Sequence, residues 1–189
     1  ISMGIQTFDD SRLQFIRRRH NASQAEKAVM TIREEEIHNV SIDLMFGFPN
    51  QTMDEWVTDI DKAIALHPTH ISAYSLMYEE DTPLFRMLQK GEINQIDDET
   101  SLAMYTELIN RLTANGYEHY EISNFAMPGY RSVHNSSYWH DTPYLGFGAA
   151  AHSYNKDTRS WNIPDLKKYI ESIESGVLPS ESEVIDLSL

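Results

Sequence analysis

The feature that most constrains the fold is a strand–loop–helix pattern between residues 39 and 55. Alternating apolar strand formers over 40–46 surround a single acid, Asp43, and a Gly and a Pro then end the strand. Thr52 and Glu55 have the spacing of a capping box, which starts the next helix. The run predicts a strand buried on both faces, so the Asp43 carboxylate needs a polar partner. The acid lies near the carboxyl end of the strand, where parallel α/β sheets bind ligands.

The same alternation continues on both sides of this segment. The chain opens on a strand that ends near Gln6, and residues 71–77 form a third predicted strand after a helix over 53–66. Strands separated by helices at this spacing predict right-handed crossovers and a parallel sheet. A short helix is predicted before the basic run 17–20, where it ends, and a second one over 23–36, with a capping box from Ser23 and Glu26. Further helices are predicted over 83–91, 98–116 and 164–176.

The character of the sequence changes after residue 116. Residues 117–125 read as a strand, whereas 127–154 are rich in His, Gly and aromatic residues and predict irregular structure. Residues 179–189 are acidic and read as a linker or a cut end. We therefore expect a βα region over 1–116 and an extension over 117–189.

Charge and composition exclude several classes of function. The 189 residues include 29 acids against 15 Lys and Arg, a formal charge of −14, which argues against a nucleic-acid partner. No apolar run approaches the roughly 20 residues of a membrane span, and no signal peptide is visible, so we expect a soluble, cytoplasmic protein. The chain has no cysteine, which excludes disulfides and thiolate metal sites within it. Residues 1–6 read as the inside of a strand, which favours a piece of a longer protein.

Three strand ends predict a first candidate site. In one parallel sheet Gln6, Asp43 and Tyr74 reach the same edge, where the amide and carboxylate can hydrogen-bond a ribose-like pair of hydroxyls. Arg18, on the first crossover, can reach a carboxylate or phosphate with its bidentate guanidinium. The alternative is that Asp43 only accepts loop hydrogen bonds and Gln6 is a satisfied strand-end amide.

A second candidate site lies in the aromatic part of the chain. Residues 134–140 read His-Asn-Ser-Ser-Tyr-Trp-His, and imidazoles beside such rings suit a flat aromatic ligand or a metal. The spacing fits no standard zinc motif, and a loop histidine such as His134 is more often a surface residue than a ligand. The Gly-Phe-Gly-Ala run at 146–149 is a weak phosphate-loop signal, since close backbone packing explains small residues equally well.

Several segments of the sequence resemble one known family. Ser-Ile-Asp-Leu-Met-Phe-Gly-Phe-Pro-Asn-Gln-Thr at 41–52, with the segments 2–8, 18–21 and 71–76, resembles the oxygen-independent coproporphyrinogen III oxidase family of radical SAM proteins. The segment 120–126, the His-Asn-x-x-Tyr-Trp motif at 134–139 and the segment 144–154 resemble its haem-chaperone branch.

The resemblance implies a fold and a set of cofactors. Such proteins carry a partial six-strand βα barrel, a 4Fe–4S cluster on a cysteine loop after the first strand, and S-adenosylmethionine (SAM) on the cluster. This chain would then be an α/β protein holding the C-terminal half of that barrel, strands four to six with crossover helices, plus an α+β extension. The cluster cysteines would lie upstream, so that SAM and the cluster belong to the full-length protein.

The resemblance also assigns roles to residues. Gln6 and Asp43 match the ribose-contacting positions, Arg18 matches the arginine that holds the methionine carboxylate, and Met45 and Tyr74 match the adenine environment. For haem, the resemblance points to the His-Asn-x-x-Tyr-Trp segment. Its candidate iron ligand is His134, and its flanking rings are Tyr138 and Trp139. The sequence differs mildly from the usual residues of the family at three positions, Arg17, Phe48 and Ala150.

Three functions follow from this resemblance. The leading hypothesis is a haem-binding chaperone, and the alternative is an oxidase that decarboxylates coproporphyrinogen III to protoporphyrinogen IX with SAM. A third hypothesis is a structural fragment without ligand affinity. The exposed edge at residues 1–6 and an uncovered barrel face predict self-association of this chain.

Overall fold

The computed structural model describes residues 1–185, which form two compact units. The first unit spans Ile1–Arg131 and the second begins at Ser132. The division therefore falls later than the one expected after residue 116, because the two strands that follow residue 116 join the sheet of the first unit. None of the helices within 1–185 is long and apolar enough to cross a bilayer.

The first unit is an α/β layer with a five-stranded sheet in the order β1-β2-β3-β5-β4. The first three strands are parallel, as predicted, and β5 runs antiparallel to β3 and to β4. The single strand predicted over 117–125 is wrong, because the chain makes a short hairpin there. Its elements are β1 (Ser2–Gln6), α1 (Asp10–Phe15), α2 (Ala22–Glu34), β2 (Ser41–Phe46), α3 (Met53–Ala65), β3 (His70–Ser75), α4 (Pro83–Gln89), α5 (Asp98–Ala114), β4 (Glu118–His119) and β5 (Asn124–Ala126).

The two faces of β2 have different surroundings. Ile42, Leu44 and Phe46 are buried in the core that the sheet forms with α3 and α5. The residues between them are only half-buried, so the prediction of a strand buried on both faces is wrong. This second face of the sheet, which we call the Asp43 face, consists of Gly4 on β1, Asp43 and Met45 on β2, and Ser72 and Tyr74 on β3.

Helix α3 packs on the sheet through the apolar face that its sequence predicts. Trp56 is fully buried, its ring lies 5.2 Å from that of Phe46, and its Nε1 donates to the Met104 carbonyl of α5 at 2.9 Å. The Thr52–Glu55 capping box is confirmed. The box predicted at Ser23 and Glu26 is wrong, because α2 begins earlier, with reciprocal bonds between Asn21 and Gln24.

The second unit contains a three-stranded antiparallel sheet in the order β6-β7-β8. Two of its elements, a helix and a strand, fall within 127–154, where irregular structure was predicted. The linker predicted over 179–189 is wrong for residues 180–184, which form a strand. Residues 186–189 lie outside the described residues. The elements are α6 (Val133–Tyr138), β6 (His152–Asn155), β7 (Thr158–Asn162), α7 (Leu166–Glu174), which confirms the last predicted helix, and β8 (Ser180–Val184).

Candidate functional site

Gln6 ends β1 in a conformation that only the tertiary structure imposes. The register between β1 and β2 shifts between Gly4 and Gln6, and Gln6 has a φ of 72°, in the left-handed region. A non-glycine residue there is strained, and such bulges re-aim side chains at the ends of strands. The buried Gln6 side chain consequently covers Gly4 and reaches the Asp43 face.

Asp59 of α3 holds the turn that follows Gln6, and the sequence analysis missed it. Its carboxylate accepts hydrogen bonds from the Thr7 hydroxyl at 2.7 Å and from the Phe8 backbone N–H at 2.8 Å. Burial raises the pKa of Asp59, against the opposing effect of these two hydrogen bonds. The available signal was an acid three residues after Trp56, on the apolar face of an amphipathic helix.

Arg18 is positioned by the end of α1. The Arg17 N–H donates to the Gln14 carbonyl at 2.9 Å and the Arg18 N–H donates to the Leu13 carbonyl at 2.8 Å, which is a Schellman motif. Arg17 has a φ of 58°, in the position where such motifs favour glycine. This conformation is the physical reason why a small residue suits position 17.

Gln6, Arg18 and Asp43 converge around Gly4. A Cβ atom on Gly4 would lie 2.7 Å from Gln6 Nε2 and 3.5 Å from Arg18 Nη2, so a side chain there would displace the amide. Gly4 pairs in register with Asp43, and the Arg18 charge partly opposes the rise that burial causes in the pKa of the Asp43 carboxyl. The structure therefore brings together the three polar residues that the sequence predicted at one site.

The environment of Asp43 combines burial with few partners. Burial raises its pKa, and this effect exceeds the lowering by the Ser72 hydroxyl and the more distant Arg18. The Ser72 hydroxyl lies on the neighbouring strand, opposite Asp43, and the carboxylate keeps acceptor positions for hydroxyl donors of a ligand. An amide and a carboxylate side by side are suited to a vicinal diol.

Met45 and Tyr74 lie side by side near the carboxyl ends of β2 and β3. They are partners in the β2–β3 register, and 42% of Tyr74 is exposed, so the pair offers apolar surface to a flat ring. The adjoining loop is fixed by Gln51, whose Oε1 accepts from the Gly47 N–H at 2.8 Å and the Phe48 N–H at 3.3 Å. The buried Gln51 Nε2 has no hydrogen-bond partner among residues 1–185.

A buried histidine at the other end of β3 was also missed. His70 Nδ1 lies 2.8 Å from the Ser41 hydroxyl and its Nε2 lies 2.7 Å from the Tyr120 hydroxyl. Burial lowers the pKa of His70, which favours the neutral ring. No sequence signal marked this network, since its three members, Ser41, His70 and Tyr120, come from separate segments of the chain.

In the second unit, α6 carries the His-Asn-x-x-Tyr-Trp segment. Ser132 caps the helix, and His134 and Tyr138 lie one turn apart on the same side of it. The Tyr138 hydroxyl is 3.2 Å from His134 Nε2, and the two rings meet edge to face, with centroids 5.2 Å apart and an angle of 87°. Trp139 follows as the C-cap residue and is 59% exposed.

The aromatic contacts continue from α6 to β6. The Tyr138 ring lies 5.1 Å from that of Tyr144, which lies 6.1 Å from that of Tyr154. The backbones of Tyr144 and Tyr154 exchange two hydrogen bonds of 2.9 Å. The structure thus places His134, Tyr138 and two further tyrosines in one connected aromatic cluster.

The glycine-rich loop after Tyr144 is a packing feature. A Cβ atom on Gly146 would collide with the backbone of His152, so only glycine fits there. The Gly148 carbonyl accepts from Asn162 Nδ2 at 2.8 Å, and Ala150 has a φ of 60°. These contacts support the close-packing interpretation of 146–149 over a phosphate loop.

Comparisons with known proteins show which family this chain resembles. The Radical SAM superfamily profile matches residues 1–63. The curated heme chaperone HemW of Bacillus subtilis (strain 168) is 38% identical over 179 residues, which covers 95% of this chain and 47% of that protein. The chain belongs to the HemN/HemW-like family of radical SAM proteins. HemW of Lactococcus lactis is 33% identical over 190 residues, 97% of this chain and 50% of that protein. The chain thus spans about half the length of these curated relatives.

A solved structure confirms the fold of this family member. Coproporphyrinogen III oxidase (HemN) from Escherichia coli superposes with a TM-score of 0.77 at 22% identity, over 98% of this chain and 45% of that one. The predicted α/β fold, with parallel strands and crossover helices similar to the HemN radical SAM barrel, is therefore confirmed.

The residues of the first unit fit SAM, whereas the chain has no residues for the iron–sulfur cluster. Gly4 leaves room for the Gln6 amide and the Arg18 guanidinium, and Asp43 offers acceptor atoms beside them. The chain contains no cysteine, and residues 1–185 contain no group of three or more side chains able to hold a metal ion. The cluster therefore does not fit this part of the protein.

Proposed function

We propose that this chain is the SAM- and haem-binding part of a radical SAM haem chaperone. The observation that carries the proposal is the 38% identity to HemW of Bacillus subtilis, because this similarity extends over 95% of the chain. In this proposal the Asp43 face holds SAM and the α6 segment holds haem.

The residues of the Asp43 face divide between the parts of SAM. Arg18 binds the methionine carboxylate through its guanidinium, and Gln6 and Asp43 bind the ribose hydroxyls. Met45 and Tyr74 pack against the adenine. The convergence of the first three side chains around Gly4 supports these roles. SAM and the cluster would supply radical chemistry or regulation in the full-length protein.

The α6 segment has the properties of a haem site. His134 is exposed and supplies an imidazole, the commonest protein ligand of metal ions, for the haem iron. Tyr138 and Trp139 are 50% and 59% exposed, and such solvent-facing rings suit the apolar face of a porphyrin.

A haem titration followed by Soret absorption tests this proposal. We expect the wild-type chain to bind haem stoichiometrically and His134→Ala to lose at least about tenfold in affinity, because loss of even an outer-shell partner of a metal ligand costs about 10–100-fold. His140→Ala is the matched control, because His140 is exposed on the same segment and its Nδ1 contacts the Ser136 carbonyl at 2.6 Å. Binding that is indifferent to His134, or equally sensitive to His140, would contradict the assignment.

The second candidate function is an oxygen-independent coproporphyrinogen III oxidase. The fold match to HemN of Escherichia coli over 98% of the chain favours it. An anaerobic assay of the full-length protein with coproporphyrinogen III, SAM and a reductant distinguishes the two functions. Formation of protoporphyrinogen IX would overturn a purely chaperone function, and its absence in a protein with an intact cluster would exclude the oxidase.

Self-association is part of the same proposal for the isolated chain. β1 is an edge strand of the five-stranded sheet, and the Asp43 face is only half-covered. We expect concentration-dependent dimers in sedimentation velocity, and a monomer at high concentration would contradict this.

The cytoplasmic location stays a prediction, and the name of one relative, Radical S-adenosyl methionine domain-containing protein 1 of Mus musculus, describes that protein as mitochondrial.

A further inference from the structure

The contact between Tyr138 and His134 has a consequence for ligand capture. Both side chains are exposed to solvent, although the Tyr138 ring also packs against that of Tyr144, with centroids 5.1 Å apart. The hydroxyl nevertheless lies 3.2 Å from Nε2, within hydrogen-bond distance. One turn of α6 supports this arrangement, because residues four apart lie on the same side of a helix.

This hydrogen bond occupies Nε2, one of the two ring nitrogens through which a histidine binds a metal ion. If the imidazole proton is on Nδ1, the Tyr138 hydroxyl donates to the Nε2 lone pair, and if it is on Nε2, the hydroxyl oxygen accepts that proton. Metal ions bind the neutral imidazole through a free lone pair. In either tautomer, iron can reach Nε2 only after the hydroxyl has moved away.

We propose that Tyr138 is a displaceable cap on His134 Nε2 that weakens and slows the capture of an iron porphyrin by the empty site. The inference rests on the proposed function, in which His134 binds the haem iron. The cap opens by rotation of the Tyr138 side chain, which is half exposed. Its ring centroid lies 5.1 Å from that of Tyr144. A moderated affinity suits a protein that has to release its haem again.

The cap distinguishes the hydroxyl of Tyr138 from its ring. The edge-to-face packing with His134 belongs to the ring and survives a change to phenylalanine. Only the hydroxyl competes with iron. Tyr138→Phe therefore separates a capping function from a function in which the phenol itself binds the haem.

The test measures haem affinity and association rate with hemin as the probe and the full chain as the protein. We expect Tyr138→Phe to bind about two- to tenfold more tightly than wild type, which corresponds to the net free energy of one hydrogen bond, and to associate faster by a similar factor. Tyr144→Phe is the matched control. It removes a hydroxyl from the ring that packs against Tyr138, whereas the hydroxyl within hydrogen-bond distance of His134 Nε2 belongs to Tyr138. We expect its affinity to equal that of wild type.

A second measurement needs no haem. The ¹⁵N chemical shift of His134 Nε2 in the ligand-free chain reports its hydrogen bond directly. We expect it to shift in Tyr138→Phe and to stay unchanged in Tyr144→Phe. An unchanged shift in both variants would overturn the cap.

The outcomes separate this inference from the function on which it rests. If His134→Ala binds hemin as wild type does, the proposed haem site itself is wrong. If His134→Ala loses affinity but Tyr138→Phe binds equally or more weakly, the haem site stands and the cap is overturned. Weaker binding by Tyr138→Phe would instead make the phenol a haem contact.

Discussion

The Asp43 carboxylate lies half-buried on its face of the sheet, where burial raises its pKa and the Ser72 hydroxyl and the Arg18 charge oppose that rise only in part. Because its pKa is raised on folding, the stability that this group contributes is fully present below the pKa of the unfolded chain, about 3.9, and is lost as the pH rises through the folded pKa. At neutral pH the ionised group therefore destabilises the fold. Such a cost is consistent with the ligand-binding role that we propose for Asp43.

Asp43→Asn should consequently stabilise the chain. We expect the free energy of unfolding in urea to rise by about 1 kcal/mol near neutral pH, and the gain to shrink as the pH falls toward about 4. Asp54→Asn, an exposed acid at the start of α3, should change stability by less than about 0.5 kcal/mol. A destabilising Asp43→Asn, or a gain that does not depend on pH, would contradict the raised pKa.

At the scale of elements, α3 fixes the end of β1 through one buried carboxylate. Asp59→Ala would leave the Thr7 hydroxyl and the Phe8 N–H without their acceptor in the core. We expect the free energy of unfolding to fall by about 2–3 kcal/mol, the cost of leaving buried donors unsatisfied. Asp59→Asn keeps an oxygen for the Phe8 N–H and should lose less. Equal losses in urea denaturation would show that the two hydrogen bonds carry little of the effect.

The loop between Tyr144 and β6 contains a strained alanine. Ala150 has a φ of 60°, which a glycine adopts without the steric cost of a Cβ atom. Ala150→Gly should therefore raise the stability of this loop by about 0.5–1 kcal/mol. Its neighbour Ala149 has no positive φ, so Ala149→Gly should be neutral or destabilising in thermal unfolding. If both substitutions destabilise equally, the strain at position 150 is absent.

At the scale of the whole molecule, the two units differ in the amount of apolar side chain that they bury. Every buried apolar residue within 1–185 lies at or before Ala126, whereas the single buried residue from Ser132 to residue 185 is the polar Asn162. Large apolar side chains such as Leu145 and Phe147 are 77% and 87% exposed. Apolar burial is the dominant favourable term in folding, so the second unit should be the less stable one.

Amide hydrogen exchange measures this difference. We expect strong protection in β2 and β3 and exchange that is at least about tenfold faster in β6, β7 and α7, because fewer buried contacts oppose local opening. Haem should slow exchange in α6 if the proposed site is correct. Equal protection in the two units would contradict the difference in burial.

The sequence by itself determined the elements whose signals are local. The Thr52–Glu55 capping box, the apolar face of α3 and the three parallel strands all follow from spacing within short segments. The resemblance of short segments to one family was sufficient for the family assignment. The SAM-binding roles of Gln6, Arg18 and Asp43 stay a prediction, although the structure brings these residues together around Gly4.

The tertiary structure decided the features that depend on distant partners. The left-handed backbone of Gln6, the role of Asp59, the pairing of β5 with β3 and the pairing of β8 with β7 all depend on contacts between separate segments of the chain. The half-covered Asp43 face has the same origin, because alternation within a strand separates its two faces but does not specify what packs on each. Local propensity has no term for these long-range contacts, and only the folded chain supplies them.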